Sequence, residues 1–135
     1  NNGIYAMTQG QMAPTTLIGQ KTTTTPRGRN PKSEGPPIKV CELIKDFERV
    51  RFLARGTVTT PRRVRQMKRF LKKAFRYQLD GVGYSLVEVL SPCPTYWRMP
   101  PPECADFIDR MMEIYPTGVI KDVGEESKTE AGEEN

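Results

Sequence analysis

Residues 50–90 constrain the fold more than any other part of this 135-residue chain. VRFLARGTV, residues 50–58, is a compact apolar run closed by Gly56, and it reads as a strand. Thr60 stands where a helix N-cap belongs, with Pro61 at the first helical position. The helix continues through RRVRQMKRFLKKAFRYQLD and stops at Gly81, with Val64, Met67, Leu71, Ala74, Phe75 and Leu79 as its expected buried stripe. GYSLVEVL follows as a second strand, so continuously apolar at Leu86, Val87, Val89 and Leu90 that a parallel strand covered on both faces is expected. Strand, helix and strand in this order make a right-handed βαβ unit.

The flanking segments extend an α/β fold. IKVCELIKDF spaces Val40, Leu43, Ile44 and Phe47 for a short amphipathic helix, and ECADFIDRMMEIYP places Ala105, Ile108, Met111, Met112 and Tyr115 on one face of a last helix. Residues 1–37, rich in Thr, Gly, Pro, Gln and Asn, are expected to be a long loop, and SPCPTYWRMPPPE a Pro-rich one. The expected architecture is an open, mostly parallel sheet with flanking helices, where ligands sit beyond the carboxyl ends of the strands. It occupies residues 1–122, and residues 123–135, with the sequence GEESKTEAGEEN at their end, are expected to form a disordered acidic tail.

Composition excludes several chemistries. The chain has no histidine, which rules out a Ser-His-Asp triad, a Cys-His pair and a His-based metal site built from its own residues. No catalytic residue is therefore assigned, and a cofactor has to supply the reactive group. Cys41, Cys93 and Cys104 are too widely spaced for a disulfide framework or a paired CxxC zinc site. No apolar run or leader points to a membrane, so a cytoplasmic location is expected. A net charge of +5 and a pI near 9.2 point to an acidic partner or to nucleic acid.

Five blocks, NNGIYAMTQGQMAPTT, GQKTTTTPRGR, IKVCELI, LSPCPTYW and YPTGVIKD, in this order over nearly all of residues 1–122, resemble the carboxyl-terminal half of the beta subunit of 2-oxoacid:ferredoxin oxidoreductases, the 2-oxoglutarate type above all. The resemblance implies a partial thiamine-diphosphate-binding fold that begins inside the cofactor motif, its Gly-Asp-Gly half lying upstream. Asn1 and Asn2 match the paired asparagines of that motif. The Asn2 amide oxygen would ligate Mg2+, and Ile4 would contribute a backbone carbonyl. Hard oxygen ligands of this kind suit a cation that neutralises a diphosphate. Tyr5, Thr8, Gly10 and Gln11 match the family's cofactor-binding pattern, with Gly10 allowing close backbone approach, whereas Gln9 stands where Gly is common. Met7 and Gln9 would border the 2-oxoacid side chain.

Cys93 matches the fourth ligand of a 4Fe-4S cluster carried by some members, while Cys41 and Cys104 are assigned to packing. Arg27 and Arg29 either pair with a distal substrate carboxylate or form a solvated basic loop, and Thr22 to Thr25 would order that loop. The implied reaction is oxidative decarboxylation of a 2-oxoacid with coenzyme A, reducing ferredoxin, or the reverse, in an assembly with an alpha subunit. Pyruvate or a broad set of 2-oxoacids is the alternative substrate.

The cations Arg62, Arg63, Arg65, Lys68, Arg69, Lys72, Lys73 and Arg76 surround the helix outside its expected stripe. They read as a solvated face or as a surface that steers an acidic ferredoxin. A nucleic-acid-binding module rests on charge alone, with no RNA-binding motif or stacking face, and nucleic acid is not an expected partner. The isolated chain, holding half of each cofactor site, is expected to be inactive.

Overall fold

The computed structural model describes residues 1–123. Along the chain these form β1 (Ile4–Tyr5), a 3-10 turn (Ala6–Thr8), β2 (Gln11–Met12), α1 (Pro31–Glu34), α2 (Val40–Ile44), β3 (Val50–Thr57), α3 (Pro61–Leu79), β4 (Tyr84–Leu90), α4 (Pro94–Trp97), α5 (Pro101–Ile114) and β5 (Gly118–Asp122). They divide into two units, Asn1–Lys39 with Leu90–Pro116, and Val40–Val89 with the residues from Thr117. The acidic tail lies outside the described residues, apart from Val123.

The βαβ unit forms the second of these. Thr60 caps α3 by accepting the Arg63 backbone N–H at 3.2 Å. β3 and β4 are neighbours joined through α3, and β5 lies on the other side of β3. β5 runs antiparallel, with Phe52 opposite Asp122 and Arg55 opposite Gly118, which makes the sheet mixed. A bulge between Leu53 and Ala54 shifts the register. The sequence reading held no strand at GVIKD, because five residues carry too little periodicity to be read.

α3 lies close against β3 because Gly56 has no side chain: a Cβ there would meet Met67 Sδ at 2.2 Å. The helix buries Met67, Phe70 and Tyr77. Phe52 of β3 meets the Phe70 ring at 6.5 Å and the Tyr77 ring at 5.8 Å. This corrects the expected stripe, since Leu71, Phe75 and Leu79 are 41 %, 70 % and 82 % exposed. Successive helical residues are about 100° apart, so α3 carries two apolar faces, and the sheet takes the one that brings Phe70 and Tyr77 onto Phe52. α2 is likewise shorter than expected. It buries Cys41 and leaves Leu43 and the later Phe47 exposed.

Arg55, a charge in the middle of a strand, is fully buried. Its Nη1 and Nη2 donate to Glu42 at 2.8 and 2.6 Å, and its Nε to Glu88 at 2.6 Å, which ties α2 to both strands. Burial alone disfavours the charged guanidinium, but the hydrogen bonds to Glu42 and Glu88 outweigh it and raise the pKa above its ordinary value. On the other side of β3, Tyr77 donates to Asp122 Oδ1 at 2.6 Å, and Lys73 pairs with the same carboxylate. β4 is an edge strand among the described residues, and Ser85–Val89 are half-buried rather than doubly covered.

In the other unit, α5 buries Cys104, Phe107, Ile108 and Met111 against Ile4, Leu90, Trp97 and Tyr115. Ala105 and Met112, expected inward, are half-buried. The Tyr115 hydroxyl donates to the Thr15 carbonyl at 2.8 Å, which fastens the end of α5 to the amino-terminal loops. Those loops are more ordered than their composition suggests, with a short hairpin and an α1 turn capped by Asn30. No helix among the described residues is long and apolar enough to cross a membrane.

Candidate functional site

Of the residues matched to the cofactor motif, Ile4, Tyr5, Thr8, Gly10 and Gln11 share one hairpin, and Asn1 and Asn2 lead into it. β1 and β2 pair antiparallel, with Ile4 opposite Met12 and Tyr5 opposite Gln11, and enclose the 3-10 turn. The chain leaves this turn through Gln9 and Gly10, both left-handed at φ 80° and 82°. Gly suits such a conformation and an L side chain strains it, which gives the departure at Gln9 a physical cost. Tyr5, Met7, Thr8 and Gln9 are exposed, with Met7 projecting entirely into solvent. Thr8 Oγ1 donates to Gln11 Oε1 at 2.7 Å.

Asn1 and Asn2 are used differently. Asn1 Oδ1 accepts the Gly3 N–H and the Thr15 hydroxyl, both at 2.9 Å, and its carbonyl accepts the Ser91 N–H at 3.0 Å. The Asn2 carbonyl accepts Trp97 Nε1 at 2.9 Å, while its half-buried side-chain amide makes no hydrogen bond among the described residues. Thr16 Oγ1 donates to the Gly3 carbonyl at 2.5 Å. Asn1, Thr15, Thr16 and Trp97 therefore brace the backbone and leave the Asn2 amide uncommitted. Of these braces the sequence marked only Asn1; nothing in the spacing of Thr15, Thr16 or Trp97 marked the others.

The threonine run joins the same hairpin. Thr24 Oγ1 accepts the Met12 N–H at 2.9 Å, the Thr23 N–H donates to the Gly10 carbonyl at 3.0 Å, and Thr22 and Thr25 bond each other's hydroxyls at 2.7 Å. Arg27 is exposed nearby in sequence. Arg29 is 5 % exposed, and it corrects the expectation of a substrate contact. Its Nε donates to Gly35, its Nη1 to Ala13, Pro14 and Thr16, and its Nη2 to Glu34 and Pro36, all backbone carbonyls. These bonds occupy the guanidinium's donors and leave nothing for a substrate carboxylate.

Cys93 occupies the N-cap position of α4, half-buried, and its carbonyl accepts the Trp97 N–H at 2.9 Å. Tyr96 on the same turn lies over Gly10, so close that a Cβ on Gly10 would meet its ring carbon at 3.1 Å. The hairpin and the Pro-Cys-Pro turn thus pack directly on each other, and sequence reading did not foresee Tyr96 in this position. Cys104 is buried and donates to the Met99 carbonyl at 3.6 Å; burial first, then the nearby Cys93, raises its pKa. Cys41, in the other unit, is also buried, and burial followed by the Glu88 carboxylate pushes its pKa up to about 12. Neither shares the accessibility of Cys93.

These residues fit part of a Mg2+–diphosphate site. An uncommitted amide oxygen is a suitable ligand for a hard cation, and the bracing holds the backbone that carries it. No group of three or more His, Cys, Asp or Glu able to hold a metal occurs among the described residues, so this chain supplies a fraction of any ligand set. Cys93 likewise offers a single, half-buried thiol. A cleft of about 570 Å3 in the same unit has Leu17, Gln20, Trp97, Met99, Phe107 and Arg110 in its lining.

Comparison with known proteins brings out related subunits. The chain is similar to the ketoisovalerate oxidoreductase subunit VorA of Methanothermobacter thermautotrophicus, 45 % identical over 113 residues that make up 84 % of this chain and 24 % of that one. It is similar to the 2-oxoglutarate synthase subunit KorB of Archaeoglobus fulgidus, 34 % identical over 115 residues, 85 % of this chain and 38 % of that one. It is also similar to the 2-oxoacid:ferredoxin oxidoreductase subunit beta of Saccharolobus solfataricus, 35 % identical over 96 residues, 71 % of this chain and 28 % of that one. The chain thus spans between 24 % and 38 % of the length of these relatives. No family model and no solved structure matches it.

Proposed function

The chain belongs to the family of 2-oxoacid:ferredoxin oxidoreductase subunits, and on that premise we propose that it is the part of such a subunit that grips the metal–diphosphate end of thiamine diphosphate and supplies one thiolate to a 4Fe-4S cluster. The observation that carries this reading is the uncommitted Asn2 amide on a backbone braced by Asn1, Thr15, Thr16 and Trp97. Asn2 Oδ1 would ligate Mg2+, with Ile4 supplying a carbonyl. Asn1 orients the motif and does not touch the metal. Thiamine diphosphate, when bound, supplies the electron sink that a chain without histidine lacks. Gly10, covered by Tyr96, holds the hairpin close to the Pro-Cys-Pro turn, and Tyr5, Thr8 and Gln11 would form the wall around the cofactor. Met7 and Gln9 face the 2-oxoacid side chain. The Cys93 thiolate would hold one iron, and its turn packs on the hairpin through Tyr96 and Gly10, which favours a short path for electrons.

The preferred substrate is a 2-oxoacid with an apolar side chain. Arg29 is unavailable to a second carboxylate, Met7 presents a thioether, and the ketoisovalerate subunit is more identical to this chain than the 2-oxoglutarate subunit is. Exposed Arg27 supports 2-oxoglutarate as the second reading. Coenzyme A, an alpha subunit and ferredoxin complete the system. The test is coenzyme A-dependent viologen reduction by the intact polypeptide assembled with its partner subunits. Ketoisovalerate should exceed 2-oxoglutarate in kcat/KM by about tenfold or more, the size of a few buried methyl groups. A preference for 2-oxoglutarate that Arg27→Ala abolishes would establish the second reading, and no 2-oxoacid turnover at all would reject both.

A further inference from the structure

We propose that α3 is a docking helix whose outward stripe of Leu71, Phe75 and Leu79 is covered by an acid-rimmed amphipathic helix of a partner subunit. The inference uses the chain's membership in a family of subunits and does not depend on the cofactor reading. The three side chains follow one another at four-residue spacing, so they line a single face, and they are 41 %, 70 % and 82 % exposed. A solvated crossover helix needs only polar residues there.

The charge beside this stripe selects its occupant. At about 100° per residue, Lys72, Arg65, Arg76 and Arg69 fall in succession along one flank of it, and Lys68, one turn before Lys72, stands at the stripe's amino-terminal end. Arg65, Lys68, Arg69 and Lys72 form no ion pair among the described residues, and Arg76 reaches only Asp80, at 3.3 Å on the surface. α3 itself contains no Asp or Glu. A second copy would set one basic ridge against another, an arrangement that like charges oppose. The chain's own residues 124–135 offer carboxylates but no apolar side chain larger than Ala, too little to cover Phe75 and Leu79. Nucleic acid would satisfy the ridge and leave the stripe wet. A helix with an apolar seam and Asp or Glu along one edge satisfies both. Its apolar contact suits a permanently assembled subunit better than a transient carrier, because lasting interfaces are the more hydrophobic ones.

The experiment places the photo-crosslinking residue p-benzoylphenylalanine at position 75 of the intact polypeptide, co-expressed with its partner subunits and irradiated as the purified assembly. Mass spectrometry then identifies the adduct. The expected result is a crosslink to one partner subunit, in a helical segment whose apolar residues are flanked by Asp or Glu. Lys68→Glu with Lys72→Glu should lower its yield about tenfold or more at low salt, while hydrogen exchange of the α3 amides in the unassembled polypeptide stays unchanged. A crosslink to a second copy, to residues 124–135, to another part of the same polypeptide or to nucleic acid would overturn the proposal. So would the absence of any adduct, or a yield indifferent to the charge reversal. The crosslink can be read in an assembly that turns over no 2-oxoacid, which keeps its outcome separate from that of the proposed function.

Discussion

Replacing Arg29 by Met separates a structural guanidinium from a substrate-binding one. Of the six carbonyls it serves, those of Ala13 and Pro14 keep second donors, the Thr16 and Ile38 N–H groups. The carbonyls of Glu34, Gly35 and Pro36 belong to half-buried or exposed residues that water can reach. The Thr16 carbonyl is different, since its residue is fully buried and it receives Nη1 at 2.6 Å. Stranding one buried acceptor and losing several charge-assisted bonds should cost about 2–4 kcal/mol. The amides that report this are those of Gly19, bonded to the Arg29 carbonyl at 2.9 Å, and of Arg29, bonded to the Gln20 carbonyl at 3.1 Å. At 1.36 kcal/mol per decade, native-state hydrogen exchange at these positions should accelerate about 30- to 900-fold. Exchange unchanged within about threefold, together with a selective rise in KM for 2-oxoglutarate, would refute the structural assignment and return Arg29 to the substrate.

Gln9→Gly should stabilise the hairpin by about 1 kcal/mol, because it relieves a side chain held at φ 80°, while Gln9→Ala should not; equal melting temperatures for the two variants would contradict the strain. Cys41 keeps its proton in the folded protein up to a pKa of about 12, against 9.0 in the open chain. The unfolded state therefore loses its proton first, so Cys41's contribution to stability is intact below pH 9.0 and declines as pH rises toward 12. Cys41→Val should flatten that decline in urea midpoints measured across the alkaline range, and an identical slope in both proteins would refute it. At pH 8 iodoacetamide should label Cys93 before Cys41 or Cys104, as peptide mapping would show, since the thiolate is the reactive form.

What could be read from the residues is what local chemistry decides. Thr60, Pro61 and Gly81 bound α3 through capping and φ preferences that act within a turn, and the apolar runs of β3 and β4 are decided by composition alone. Which side of α3 faces the sheet is decided by Phe52, distant in sequence, so Leu71, Phe75 and Leu79 were placed inward where Phe70 and Tyr77 belong. Arg55 escaped notice because a charge within a strand pattern reads as solvent-facing, and only Glu42 and Glu88 reveal that it is buried and paired. Asn2, Gly10 and Cys93, which the motif singles out, fall in one unit, but the motif could not distinguish Asn1 as a brace from Asn2 as an uncommitted amide, nor tell Arg27 from Arg29. Those distinctions depend on where hydrogen bonds end, and sequence periodicity carries no information about that.

The central claim, that Asn2 provides a metal ligand and Asn1 its support, is tested most directly by calorimetric titration of the intact assembly with thiamine diphosphate at fixed Mg2+. Asn2→Ala should weaken binding by at least about 10- to 100-fold, the loss that follows even when only a group supporting a ligand is removed, while hydrogen exchange in residues 3–16 stays as in the parent. Asn1→Ala should instead speed exchange at Gly3. Wild-type affinity in Asn2→Ala, with the loop intact, would contradict the account.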